Sequence, residues 1–139
     1  MSYFFPIQVR FADTDAQGHV FFGTYLTYFD EAVSGLLRTL GFSYAALRAQ
    51  GLDLVYAHAE CDYLSSAVFE ETLHVYARVT RIGETSITIE CDARRAANDE
   101  SIARGKLVNV MVDDKRIKTR VPDALRRAVE RANDTDLNF

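Results

Sequence analysis

The chain reads as an α+β fold, an antiparallel sheet of about five strands wrapped around one long helix. Three observations carry this reading. Tyr25, Phe29, Ala32, Val33, Leu36, Leu37 and Leu40 recur at helical spacing and form a broad apolar stripe. After Gly51 the apolar period drops to two, in three successive stretches. A fourth stretch, Ile102 to Val112, becomes apolar on both sides around residues 107–112, as a central strand does.

The elements follow in order. Phe5 to Phe11 is strand-like, and the polar run Ala12 to His19, with Gly18 in it, is a turn. The long helix comes next, and Gly41 is placed to end it. Ser43 caps a short second helix over Tyr44 to Gln50, which Gly51 stops. Val55, Ala57, Ala59, Cys61 and Tyr63 then alternate with Tyr56, His58, Glu60 and Asp62, which predicts a strand with one buried face. Leu73, Val75, Ala77 and Val79 repeat the pattern, as do Ile87, Ile89, Cys91 and Ala93 after a turn at Gly83-Glu84. These three strands are expected to neighbour one another in an antiparallel meander. Asp113-Asp114-Lys115 turns the chain, a short edge strand follows over Arg116 to Arg120, and Val121-Pro122-Asp123 opens a last helix.

At 139 residues the chain is long enough for one core and too short for two. A single domain is expected over residues 1–132, with 133–139 as a loose tail. Apolar residues at 48% and a mean hydropathy of -0.10 exclude a disordered chain, and no apolar run approaches a membrane span. The amino terminus lacks the basic start and long apolar stretch of a secretory signal, so the expected compartment is the cytoplasm. One helix leaves part of such a sheet uncovered. Coverage therefore predicts a homodimer that continues the sheet or packs on it, and a homotetramer that hides the outer polar faces.

The net charge of -4 argues against a nucleic-acid partner. Charge is uneven, however: residues 1–114 hold 9 basic and 16 acidic groups, whereas 115–131 hold 7 basic and 2 acidic. Lys115, Arg116, Lys118, Arg120, Arg126, Arg127 and Arg131 are read first as a solvated strand and a solvated helix face, and taken together as a segment whose summed potential suits a small polyphosphate. Cys61 and Cys91 lack metal-ligand spacing and are read as core residues.

Chemistry concentrates near the first turn. Asp13 and Asp15 precede the long helix, where carboxylates commonly cap amides and oppose the positive helix end. A functional reading rests on Asp15. It lies seven positions before Phe22, and Gly18 gives the chain room to fold back toward the helix start. There Gly23 bares backbone N–H groups to a ligand carbonyl. A carboxylate beside free N–H donors is the minimum equipment for acyl transfer. Asp30 and Glu31, within the helix, are read first as exposed or pairing acids, with Glu31 an alternative catalyst. His58 and His74 fall on polar strand faces, and His19 lies in the turn. No Ser-His-Asp set, zinc spacing or phosphate-cradling glycine loop is assembled by these residues.

The run Val9-Arg10-Phe11-Ala12-Asp13-Thr14-Asp15-Ala16-Gln17-Gly18-His19-Val20, followed by Tyr25-Leu26-Thr27-Tyr28-Phe29-Asp30-Glu31-Ala32, resembles the signature of the hotdog-fold acyl-CoA thioesterases of the 4-hydroxybenzoyl-CoA thioesterase family. Asp62-Tyr63-Leu64-Ser65-Ser66-Ala67 is similar to the segment after that family's second strand. The resemblance implies an acyl-CoA substrate bound at a dimer interface, with no cofactor beyond the coenzyme A of the substrate. It puts the catalytic aspartate on Asp15 and the oxyanion donor on the amides of Phe22 or Gly23. Gly18, His19, Phe21, Tyr25, Tyr63 and Ser65 are the implied substrate contacts. Where family members often carry polar side chains, this sequence has Phe21 and Phe22, which favours an aromatic or other apolar acyl group. The same substitution motivates an alternative, a non-catalytic acyl-CoA binder.

Overall fold

The computed structural model describes residues 3–135. Five antiparallel strands form one sheet: β1 (Phe4–Gln8), β2 (Leu52–Tyr63), β3 (Thr72–Ile82), β4 (Ser86–Arg95) and β5 (Ser101–Asp113). Their spatial order is β1-β3-β4-β5-β2. Helix α1 (Thr24–Thr39) lies on one face, followed by α2 (Tyr44–Ala49), and α3 (Asp123–Thr135) is the last element among the described residues. The expected architecture of one long helix against a five-stranded antiparallel sheet is therefore observed.

The helical stripe explains α1. Tyr25, Phe29, Ala32, Val33, Leu36 and Leu37 are all buried, and they meet the inward residues Leu73, Val75, Ala77, Val79, Ile87, Ile89, Cys91 and Ala93 of β3 and β4. Gly41 ends the helix in the left-handed conformation (φ +89°), with its N–H donating to Arg38 O while the Phe42 N–H donates to Leu37 O. Ser43 caps α2 by accepting from the Ala46 N–H at 3.1 Å. None of the described helices is long and apolar enough to cross a membrane.

Four expectations are corrected. First, β2 does not neighbour β3: it crosses to the far edge and pairs with β5, while β1 takes the place beside β3. Strand periodicity specifies faces, not neighbours, so the meander covers only β3, β4 and β5. Second, a bulge at Ala57 inverts the phase of β2. Before it, Leu54 and Tyr56 pair with the inward Met111 and Asn109; after it, Ala59, Cys61 and Tyr63 pair with Leu107, Gly105 and Ala103. The regular alternation from Val55 is therefore broken, and as an edge strand β2 is largely exposed on both faces. Third, residues 116–120 form only an isolated bridge, Val112 to Lys118, and no strand. Fourth, the loose tail does not begin at Asn133: α3 continues to Thr135, and the Asn133 side-chain amide donates to Val79 O at 3.0 Å. Residues 136–139 of that expected tail lie outside the described residues.

Candidate functional site

The turn between β1 and α1 is a miniature ladder. Phe21 N–H donates to Asp13 O at 2.9 Å, Thr14 bridges Val20, and Asp15 N–H donates to His19 O at 3.0 Å. Gly18, at φ +83°, closes it, its N–H donating to Asp15 O. Val20 N–H donates to Ala67 O and ties the ladder to the segment after β2.

The two aspartates of this turn have different environments. Asp13 is 4% exposed, and its carboxylate accepts from the Arg10 backbone N–H (3.0 Å), the Arg10 guanidinium (2.9 Å) and the buried Tyr28 hydroxyl (2.8 Å). Burial by itself raises its pKa, but the bonds from Arg10 and Tyr28 outweigh burial and hold it below the ordinary 3.8. Asp13 therefore fastens the turn to α1. Because its folded pKa is depressed, its contribution to stability is present above the ordinary value and is lost as pH falls through the folded one. Asp13→Asn is expected to cost about 1–3 kcal/mol at neutral pH, the range for weakening a buried hydrogen-bonded group. Urea titrations at pH 7 and pH 3 check this, since the gap between the proteins should narrow in acid.

Asp15 has no such clamp. Its side chain is 24% exposed, Oδ1 accepts only from the Gln17 N–H (2.9 Å) among the described residues, and Oδ2 stands 3.8 Å from His19 Nε2. His19 also contacts the Gln17 Oε1 at 3.0 Å. At the helix start, Thr24 N–H donates to Phe21 O and Leu26 N–H to Gly23 O. Among the described residues nothing accepts from the Phe22 or Gly23 N–H. Asp15, Gly18, His19, Phe21, Phe22 and Gly23 thus belong to one continuous piece of the surface, the ladder and the helix start it feeds.

Aromatic rings frame this surface. Phe21 and Phe22 are exposed and tilted together at 4.7 Å; Phe22 meets the Tyr63 ring edge-on at 6.3 Å. The Tyr63 hydroxyl donates to Phe22 O at 2.9 Å. Tyr25 is buried, its ring 5.7 Å from that of Tyr63, and its hydroxyl accepts from the Ala67 N–H. Ser65 accepts from the Arg95 guanidinium at 3.2 Å, and Arg95 also binds Ser66 O, Glu100 and Glu71. Sequence reading missed Arg95; its only trace is that two arginines in succession end a strand whose faces alternate.

The remaining candidates lie elsewhere. Asp30 accepts from the Tyr56 hydroxyl at 2.7 Å, beside a cavity of about 600 Å³ between α1, α2 and β2. Burial and the Asp30 carboxylate both push the Tyr56 hydroxyl pKa up. Glu31 is exposed. The same cavity is lined by Asn109, another residue not singled out in the sequence, whose buried Nδ2 has no partner among the described residues. His58 is exposed near Glu60, and His74 stacks on Phe4. Burial pushes the Cys91 thiol up to about 12, the state of an inert core cysteine. In the basic segment, Arg116 pairs with Asp53, Arg120 with Glu84 and Asp123, and Arg126 donates to Gly83 O.

Comparison with known proteins bears on this geometry. A sequence model of the thioesterase superfamily matches residues 17–102. The acyl-CoA thioester hydrolase YbgC of Escherichia coli O157:H7 is 27% identical over 117 residues, covering 83% of this chain and 85% of its own. The 1,4-dihydroxy-2-naphthoyl-CoA hydrolase of Synechococcus elongatus is 25% identical over 127 residues, covering 89% and 92%. The crystal structure of a hypothetical protein from Aquifex aeolicus superposes with a TM-score of 0.85 at 25% identity, covering 91% of this chain and 98% of that one.

Proposed function

Because the chain belongs to the thioesterase superfamily, we propose that it is an acyl-CoA thioesterase, converting an acyl-CoA and water to a free acid and coenzyme A. The observation that carries this reading is the contrast in the first turn. One carboxylate, Asp13, is locked into the structure, while Asp15 is left accessible on the ladder leading to two unclaimed amides.

The chemistry follows from those groups. A thioester carbonyl held by the Phe22 and Gly23 N–H groups has its developing negative charge stabilised, in surroundings made apolar by the Phe21 and Phe22 rings. Asp15 either takes a proton from the attacking water or attacks the carbonyl carbon itself, to be freed later by water. In both routes the carbon–sulfur bond breaks and the sulfur leaves as thiolate and takes up a proton; in the first the acid's new oxygen comes from water, and in the second it comes from Asp15, whose carboxyl is restored by water attacking its own carbon. Histidine is not required as the base, although His19 lies next to Asp15. Phe21, Phe22 and Tyr63 suit an aromatic acyl group, and a relative named for a naphthoyl-CoA supports that preference. Gly18, His19, Tyr25 and Ser65 shape the turn and the segment facing it.

Thioester cleavage is tested by releasing free thiol from a panel of aliphatic and aromatic acyl-CoAs. Hydrolysis with a preference for aromatic members is expected; binding of the panel without thiol release would replace the enzyme by the binding-protein alternative.

The same reading includes assembly. β2 is a 12-residue edge strand whose outer backbone is unpaired among the described residues, with Ala57 and Ala59 exposed on it. A homodimer joined along this edge pairs those groups, and a tetramer is the next step. Sedimentation should return at least twice the 15.7 kDa chain mass; a monomer would remove the edge pairing.

A further inference from the structure

We infer that Tyr63 is a positioning residue for the oxyanion site, holding the Phe22–Gly23 peptide so that the Gly23 N–H points outward; this rests on the proposed role of the helix-start amides. The contact is a single hydrogen bond, from the Tyr63 hydroxyl to Phe22 O at 2.9 Å, bridging the end of β2 and the entry to α1.

The C=O of Phe22 and the N–H of Gly23 belong to one planar trans peptide, so fixing one fixes the direction of the other. Donation to a carbonyl also polarises its own peptide, which strengthens the N–H as a donor. This carbonyl precedes the helix, and the first helical bonds run to Phe21 O and Gly23 O instead. Among the described residues no other hydrogen bond holds this peptide plane.

The tyrosine is itself held. It pairs with Ala103 of β5, and both following N–H groups, those of Leu64 and Ser65, donate to Ile102 O. Arg95 then grips Ser65 Oγ and Ser66 O. The ring rests edge-on against Phe22 and Tyr25. A stiff sheet edge thus transmits its position to one peptide at the mouth of the helix.

Tyr63→Phe keeps the ring and deletes only the donor, so it is measured in the full chain with two readouts. In hydrolysis of benzoyl-CoA and hexanoyl-CoA, kcat is expected to fall about tenfold, part of what loss of an oxyanion donor costs, with KM within about twofold and the pH profile unmoved. In ¹H–¹⁵N spectra the Gly23 amide proton is expected to move upfield and exchange faster with solvent, while dispersed signals elsewhere confirm the fold. An unchanged kcat, a rise in KM alone, or a lost alkaline limb would overturn the positioning role, the last two pointing to substrate contact or proton donation. An unmoved Gly23 resonance overturns it whether or not the protein hydrolyses anything. If neither thioester is cleaved by the unaltered chain while the Gly23 resonance moves as expected, the positioning stands and the thioesterase reading fails.

Discussion

Asp15→Asn is expected to lower acyl-CoA turnover by about a thousandfold, within the range for removing a positioned proton-transfer group. The substitution is nearly isosteric, and the amide oxygen still accepts from the Gln17 N–H that Asp15 Oδ1 binds, so the turn should survive. The loss must therefore fall on kcat with unchanged melting behaviour. Asp13→Asn should show the reverse pattern, because the Asp13 carboxylate is spent on Arg10 and Tyr28. Two neighbouring aspartates with opposite profiles would separate chemistry from scaffolding more sharply than either variant alone. A single turnover in ¹⁸O water then divides the two routes. Label entering the Asp15 carboxyl marks covalent attack, and label confined to the released acid marks base catalysis. Near-normal turnover by Asp15→Asn would remove this residue from the mechanism, and Glu31→Gln would become the next variant to measure.

What made the two aspartates distinguishable was not legible in the sequence. Asp13 and Asp15 sit two residues apart in one polar run, and local spacing offers both as caps. The distinction comes from Tyr28, fifteen residues on and one helical turn inside α1, whose buried hydroxyl needs an acceptor and finds Asp13. By contrast α1 itself was fully legible, because a broad apolar stripe buries one face of a helix whatever surrounds it. The strands β3, β4 and β5 were legible for the same reason at period two. β2 was not. One extra residue, Ala57, inverts which side chains face the helix, and a bulge leaves no mark in a strand whose residues are small or amphipathic on both sides. Sheet order was hidden for a related reason, since Ser65 to Glu71 carries the chain across the sheet and nothing in its composition states the destination. The link from Tyr63 to Phe22 depends on that crossing, so only the Tyr63 position, and not its partner, was available beforehand.

The largest stability effect should arise where α1 comes closest to the sheet. Gly105 of β5 lies in register between Cys61 of β2 and Cys91 of β4, and a Cβ built on it would stand 2.3 Å from Cε2 of the Phe29 ring. Phe29 is fully buried in the second turn of α1, so this row of small residues sets how near the helix can approach. Phe29→Ala empties that contact and is expected to cost about 4 kcal/mol, a large share of a typical domain's stability. Gly105→Ala errs in the other direction. The added methyl must push the ring or the helix away, for about 2 kcal/mol of overpacking, a cost that outweighs the backbone entropy gained. Because both changes act on one contact, their effects should not add. In Gly105→Ala/Phe29→Leu, the slimmer side chain relieves the methyl, and the double variant should be more stable than the sum of its singles by about 1 kcal/mol, the size expected for touching residues. Urea unfolding of the unaltered chain, Gly105→Ala, Phe29→Leu and the double variant measures this coupling. Strict additivity would mean that the helix shifts freely over β5, and the close approach that holds the helix start against the end of β2 would lose its physical basis.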